Sequence, residues 1–148
     1  MSKTRILCHL VFATKKRITT IPLSKKDLLY AYIRHTAENN GKTKIIVMNG
    51  TSNHIHLLID LHPSEALAGF VKLIKQSTAN WMSQNPHFPK FTLWCKGYFA
   101  ASVSPTNIDR CINYISNQEE HHKVGGFDEE LKFMIDSSSL IWHPDDLQ

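Results

Sequence analysis

Cysteine is scarce in this chain: Cys8, Cys95 and Cys111 are the only three in 148 residues, odd in number and widely separated. That spacing excludes a disulfide framework and a paired-cysteine zinc knuckle, and it implies three reduced thiols. No apolar run approaches the roughly 18 residues that a membrane-spanning helix requires. The first apolar stretch, residues 6–13, is interrupted by His9 and lacks a small-residue cleavage site, so neither secretion nor membrane insertion is expected and a cytoplasmic location is. Repeats and low-complexity linkers are also missing, and this length suits a single domain over residues 1–148. A content of 42% hydrophobic and 20% charged residues excludes wholesale disorder.

Acidic residues are sparse over most of the chain. Residues 119–148 form an acidic C-terminal segment with 8 of the 13 acids and only Lys123 and Lys132 of the 17 bases. Residues 1–118 therefore hold 15 bases against 5 acids, a charge of +10 beneath a formal total of +4. Such a body favours a polyanion, because each Lys or Arg that meets a phosphate releases a condensed counterion. The same charge also suits scattered surface lysines, so it nominates nucleic acid without establishing it.

Residues 5–14 are rich in strand formers and end in the basic turn Lys15-Lys16-Arg17. Ser24 and Asp27 read as a capping pair for a helix that Asn40-Gly41 stops. Residues 44–48 and 54–61 are apolar runs joined by Asn49-Gly50-Thr51-Ser52-Asn53, a hairpin signal. A second helix starts near Pro63-Ser64, with Leu67, Phe70, Val71, Ile74, Thr78 and Trp81 at helical spacing, and ends at Asn85-Pro86. Residues 91–103 predict a hairpin or bulged strand around Gly97, and residues 107–122 a third helix with Ile108, Cys111, Ile112 and Ile115 as its stripe. A short helical stretch follows at 128–135. The order describes an α+β split βαβ sandwich, with helices on one face of a mostly antiparallel sheet and the other face open to a ligand.

The stretch Ser52-Asn53-His54-Ile55-His56-Leu57-Leu58-Ile59 places two histidines at the start of a strand. Side chains i and i+2 share a strand face, so His54 and His56 stand together while Ile55 points the other way. Two such imidazoles either share a metal ion or form a polar, solvent-facing edge. In the third helix, Tyr114 and Gln118 are four residues apart and adjoin on one flank, with His121 close by. That tyrosine is either a functional group or a cover for the edge of the core.

The three segments "NHIHLLI", "CKGYFAASVS" and "YISNQEEHH", in this order and spacing, resemble the single-tyrosine HUH transposases of the smallest bacterial insertion sequences, over about Leu10 to Met134. The resemblance implies a ferredoxin-like or RNA-recognition-type sheet. It implies a transposase that cleaves and rejoins single-stranded DNA through a 5′-phosphotyrosine. By that likeness Tyr114 is the nucleophile and His54, His56 and Gln118 hold a divalent metal, Mg²⁺ or Mn²⁺. It further implies a single-stranded substrate that carries a hairpin, and a homodimer with composite active sites. Lys15, Lys16, Arg17, Lys72, Lys75 and Lys96 are the candidate phosphate contacts, and Trp94, Tyr98 or Phe99 the candidates for stacking on unpaired bases. Two rival patterns are incomplete. Lys96-Gly97-Tyr98-Phe99-Ala100 departs from the RNA-recognition motif at Phe99, and His62-Pro63-Ser64 is a lone copy of a phosphoesterase motif that comes in pairs.

Overall fold

The computed structural model describes residues 1–121, 126–141 and 143. Strand β1 (Leu7–Ala13) runs through 3₁₀ turns at Lys15–Arg17 and Leu23–Lys25 into helix α1 (Lys26–Asn39). Strands β2 (Lys44–Gly50) and β3 (His54–Asp60) form the hairpin, followed by α2 (Leu67–Ser83) and β4 (Phe99–Ser102). Helices α3 (Ile108–Ser116), α4 (Gln118–His121) and α5 (Phe127–Ser137) complete the described elements. The sheet order is β2-β3-β1-β4 and every neighbouring pair is antiparallel, which is the split βαβ sandwich expected from the order of elements.

The pleat divides the two central strands between two layers. Cys8, Leu10 and Phe12 of β1 with Ile55, Leu57 and Ile59 of β3 face Leu29 and Ile33 of α1 and Phe70 and Ile74 of α2 in the main core. Each fully buried aliphatic side chain there contributes about 1.5–3 kcal/mol relative to exposure. The opposite face carries Leu7, Val11, Ala13, His54, His56 and Leu58. It is not open as the sequence suggested: Ile115 of α3 packs on Leu7 and Leu58, while Phe127, Leu131, Met134 and Ile135 of α5 pack on Val11, Ala13 and Phe99. Two covered faces explain why β3 reads as an almost unbroken apolar run.

Residues 91–97 do not form the expected hairpin arm. Only a single bridge, Thr14 to Trp94, joins them to the sheet. Phe91 and Trp94 are spent instead on the main core, where Trp94 stacks edge-on to Phe12 at 4.8 Å and donates Nε1–H to Thr78 Oγ1 at 2.9 Å. The expected third helix is interrupted at Asn117 (φ −102°, ψ 24°), so Gln118 opens α4 rather than continuing α3. Its expected end at His122 lies outside the described residues, as does Gly125. At the β2–β3 hairpin the backbones approach so closely that a Cβ on Gly50 would stand 2.1 Å from the His54 carbonyl oxygen. Glycine there is a steric requirement of the turn that presents the histidines.

Candidate active site

His54 and His56 leave β3 on the face covered by α3 and α5, and both are 0% exposed. The solvent-facing reading of the pair is therefore overturned: the two imidazoles sit under two helices that sequence spacing did not place there. Asn53, one residue before β3, fixes the first ring. Its Nδ2 donates to the Arg17 carbonyl at 3.2 Å, so its Oδ1 faces His54 Nδ1 at 2.7 Å and accepts that nitrogen's proton. His54 Nε2 then faces Gln118 Oε1 3.2 Å away and Glu130 Oε1 3.7 Å away. His56 Nδ1 lies 2.8 Å from His9 Nε2, and His56 Nε2 lies 2.8 Å from Glu130 Oε1. Burial, reinforced by His56, lowers the His9 pKa to about 3 and keeps that ring neutral.

Tyr114 and Gln118 reach the same place from the far side of the chain. The Ile108/Cys111/Ile112/Ile115 stripe seats α3 against Leu58 and Val47. Asn49 of β2 donates to the Ser116 carbonyl at 3.0 Å, and Lys26 pairs with Glu119, so the break at Asn117 is held from both ends. The Tyr114 ring lies 5.9 Å from that of His56 and 6.0 Å from that of His9. Tyr114 is half-buried. Burial raises its pKa above that of a free phenol, and the charge and hydrogen bond of Glu130 raise it further, while the Gln118 amide opposes them weakly. Gln118 is fully buried with its Nε2 lacking a well-formed partner, so its oxygen is the end that the site uses.

The structure thus brings together all four candidate site residues and adds two that the sequence reading missed. His9 registered only as an interruption of an apolar stretch. Glu130 stands on α5 at an inward position of the stripe Phe127, Glu130, Leu131, Met134, which follows i, i+3, i+4, i+7; an acid in an apolar slot is the signal that could have found it. The first turn of α5 is fastened at two further points. Phe127 stacks on His54 at 4.2 Å, and Asp128 accepts from Arg17 Nε at 3.1 Å.

A divalent ion fits this donor set. Each histidine has a hydrogen-bond partner on Nδ1, Asn53 for His54 and His9 for His56, which leaves both Nε2 atoms directed inward as metal-bound imidazoles require. Gln118 Oε1 and Glu130 Oε1 lie 3.2 Å and 3.7 Å from His54 Nε2, close enough for one cation to be shared among them. Donor atoms of His54, His56 and Glu130 all lie within 4.8 Å of one another.

The candidate DNA contacts fall into two groups. Lys15, Lys16, Arg17 and Lys96 line one groove of about 1350 Å³ beside α5, together with Tyr98. Lys16 and Arg17 hold positive φ (57° and 58°); Lys16 is exposed, whereas the Arg17 side chain is only 13% exposed and is committed to Asp128 (Nε, 3.1 Å) and Cys95 Sγ (Nη1, 2.8 Å), so it fastens α5 rather than meeting phosphate. Lys72 is exposed on α2. Lys75 is committed elsewhere, since its ammonium donates to the carbonyls of Cys95 (2.7 Å), Lys96 (3.2 Å) and Gly97 (2.7 Å) and so braces the loop before β4. Of the stacking candidates Tyr98 is exposed, while Trp94 and Phe99 are core residues.

A ferredoxin-like α+β domain whose sheet displays a histidine pair beneath a tyrosine-bearing helix defines the class of single-tyrosine transposases. The family model "Transposase IS200 like" matches residues 2–118, and the chain belongs to that family. It is thereby a transposase, a DNA-binding enzyme of insertion-sequence transposition. The transposase for insertion sequence element IS200 of Salmonella typhimurium is 26% identical over 132 residues, covering 84% of this chain and 86% of that protein. The ISDra2 transposase TnpA of Deinococcus radiodurans is 28% identical over 119 residues, covering 76% and 83%. A Deinococcus radiodurans R1 chain, assigned as a transposase, has a crystal structure that superposes with a TM-score of 0.60 at 26% identity, covering 79% of this chain and 93% of that one. The REP-associated tyrosine transposase bound to a REP hairpin shares the fold, with a TM-score of 0.63 at 12% identity over 82% of this chain and 74% of that one. The matched segment ends at Gln118, so it contains every candidate site residue read from the sequence but not Glu130.

Proposed function

We propose that this transposase is a metal-dependent endonuclease and strand transferase for single-stranded DNA, with Tyr114 as nucleophile and His54, His56 and Gln118 as ligands of Mg²⁺ or Mn²⁺. The observation that carries the reading is the convergence of Tyr114 and Gln118, from one end of the chain, on the buried His54/His56 pair. When bound, the ion supplies positive charge to a phosphate oxygen and to the phenol, offsetting the burial that disfavours the tyrosinate. Tyr114 Oη forms a bond to phosphorus as the bond to O3′ breaks. The product is a 5′-phosphotyrosine, the departing 3′ oxygen takes up a proton as the tyrosine loses one, and no nucleotide cofactor is consumed. Because the phosphodiester energy is kept in the new ester, a second 3′-OH can reverse the step and join strands.

Lys15, Lys16 and Lys96 would track the phosphates along the groove beside α5, with Tyr98 against an unpaired base. A structured single strand carrying a hairpin is the proposed substrate, in keeping with the hairpin bound by the REP-associated neighbour. The single catalytic domain, the cytoplasmic location and the homodimer belong to the same reading. Within one chain Tyr114 already stands against its own imidazoles, so a dimer with composite sites would exchange α3 between two sites that are each complete.

Incubation with a hairpin-bearing single strand from the ends of its own element, plus Mn²⁺, should give a covalent protein–DNA band that survives denaturing electrophoresis. Tyr114→Phe should lose the band and keep DNA binding. A band of undiminished intensity from that variant would refute the assignment.

A further inference from the structure

Glu130 lies outside residues 2–118, the segment that the family model matches. Its side chain is 9% exposed, and a carboxylate so enclosed is costly unless a cation meets it. The groups that face it are His56 Nε2 at 2.8 Å and His54 Nε2 at 3.7 Å, the two nitrogens that the metal reading assigns as ligands. The spacing is informative. Around an ion with bonds of about 2.1 Å, neighbouring ligand atoms lie roughly 3.0–3.4 Å apart in octahedral or tetrahedral arrangements. Three of the separations bracket that value, 2.8 Å from His56 Nε2 to Glu130 Oε1, 3.2 Å from His54 Nε2 to Gln118 Oε1 and 3.7 Å from His54 Nε2 to Glu130 Oε1, and the donor atoms of His54, His56 and Glu130 all lie within 4.8 Å of one another.

We propose that Glu130 is a fourth protein ligand of the metal, delivered by α5, so that metal binding fastens α5 across the sheet face. The inference rests on the two-histidine metal reading above and adds to it. A carboxylate makes the site harder and less positive than two imidazoles and an amide would, which favours Mg²⁺ and Mn²⁺ over softer ions. It also ties the ion to an element whose other anchors, Phe127 on His54 and Asp128 on Arg17, are independent of the metal.

The test titrates the full-length protein with Mn²⁺ alone, reading free Mn²⁺ by electron paramagnetic resonance, and follows hydrogen exchange across residues 127–137. Wild-type protein should bind one Mn²⁺ and gain protection in α5. Glu130→Gln and Glu130→Ala should weaken binding by roughly tenfold or more, at least what removal of a group behind a metal ligand costs, and should lose the metal-dependent protection. Circular dichroism checks that both variants fold, and the isosteric glutamine serves if the alanine does not. Asp128→Asn loosens α5 without touching the donor set and should leave Mn²⁺ affinity within about threefold. Glu130 variants that bind Mn²⁺ as tightly as wild type, or more tightly, while His56→Ala abolishes binding would overturn this inference alone and make Glu130 an occupant of the site rather than a ligand. An Asp128→Asn loss equal to that of Glu130→Gln would also overturn it, by assigning the effect to helix docking. Wild-type protein that binds no Mn²⁺ would overturn both this inference and the metal reading beneath it.

Discussion

Replacing His9 by phenylalanine should uncouple metal binding from the rest of the fold. His9 lies on β1, and its Nε2 meets His56 Nδ1 at 2.8 Å, so it sets which nitrogen of His56 faces the site. Phenylalanine keeps a ring between Phe99 and Tyr114, whose centroids lie 6.2 Å and 6.0 Å from that of His9, and so preserves most of the packing. What is lost is the acceptor. Leaving a buried ring nitrogen short of its partner costs about 1–3 kcal/mol, and the compensating apolar contact favours the low end. For a domain of this size that is a melting-temperature drop of roughly 2–4 °C per kcal/mol. Removal of such an orienting partner also costs about 10–100-fold in metal affinity, or about 1.4–2.8 kcal/mol. Calorimetric Mn²⁺ titration beside thermal unfolding reads both quantities, and His9→Gln, whose Oε1 can accept the same proton, should recover part of the affinity. Mn²⁺ affinity within threefold of wild type in a folded His9→Phe protein would refute the claim that His9 orients His56.

Acid should destabilise the metal-free protein through the same residue. His9 stays neutral in the fold down to about pH 3, whereas the unfolded chain takes up that proton near pH 6.5. Between those values the unfolded state holds more protons, so the stability from the neutral ring is complete above about pH 6.5 and is lost as the pH falls toward 3. Between pH 7 and pH 5 the loss is about 2 kcal/mol by that relation. Denaturant unfolding at both pH values should show a shallower decline for His9→Phe, and equal declines would exclude His9 as the source. Lys75→Met should behave as a stability variant, losing about 1–3 kcal/mol from three uncapped carbonyls, with the salt dependence of DNA binding unchanged. Lys15→Met, Lys16→Met and Lys96→Met should instead each lower the salt slope by about 1. A lower slope with unaltered stability for Lys75→Met would restore it to the phosphate contacts.

Local signals carried most of the architecture. The period of two over His54, Ile55 and His56, the turn residues before them and the helical spacing of Ile108, Ile112 and Ile115 each act over one strand or one turn, and each appears in place. Long-range pairing was harder to read. Nothing near Glu130 in sequence says that α5 lies over β3, and nothing near His54 says that it is buried, because both facts arise from the docking of one element on another. Lys75 reads as a surface cation on α2 until the loop of residues 95–97 is seen to end against it. The aromatic run from Phe91 reads as strand because strand and core favour the same residues. In the event Phe91 and Trp94 go to the main core, with the one bridge from Trp94 to Thr14 as all that remains of the strand.

The central claim is that Tyr114 attacks DNA beside the His54/His56 pair, and locating the attached nucleotide tests it most directly. The covalent product formed with Mn²⁺ can be digested with nuclease and trypsin and its peptides weighed by mass spectrometry. Cleavage after Arg110 and Lys123 releases the peptide 111–123, in which Tyr114 is the sole tyrosine. The account predicts a 5′-nucleotide mass on that peptide, fragmenting to Tyr114, and its absence from His56→Ala protein. The nucleotide on any other residue, or on Tyr114 in undiminished yield from His56→Ala protein, would contradict it.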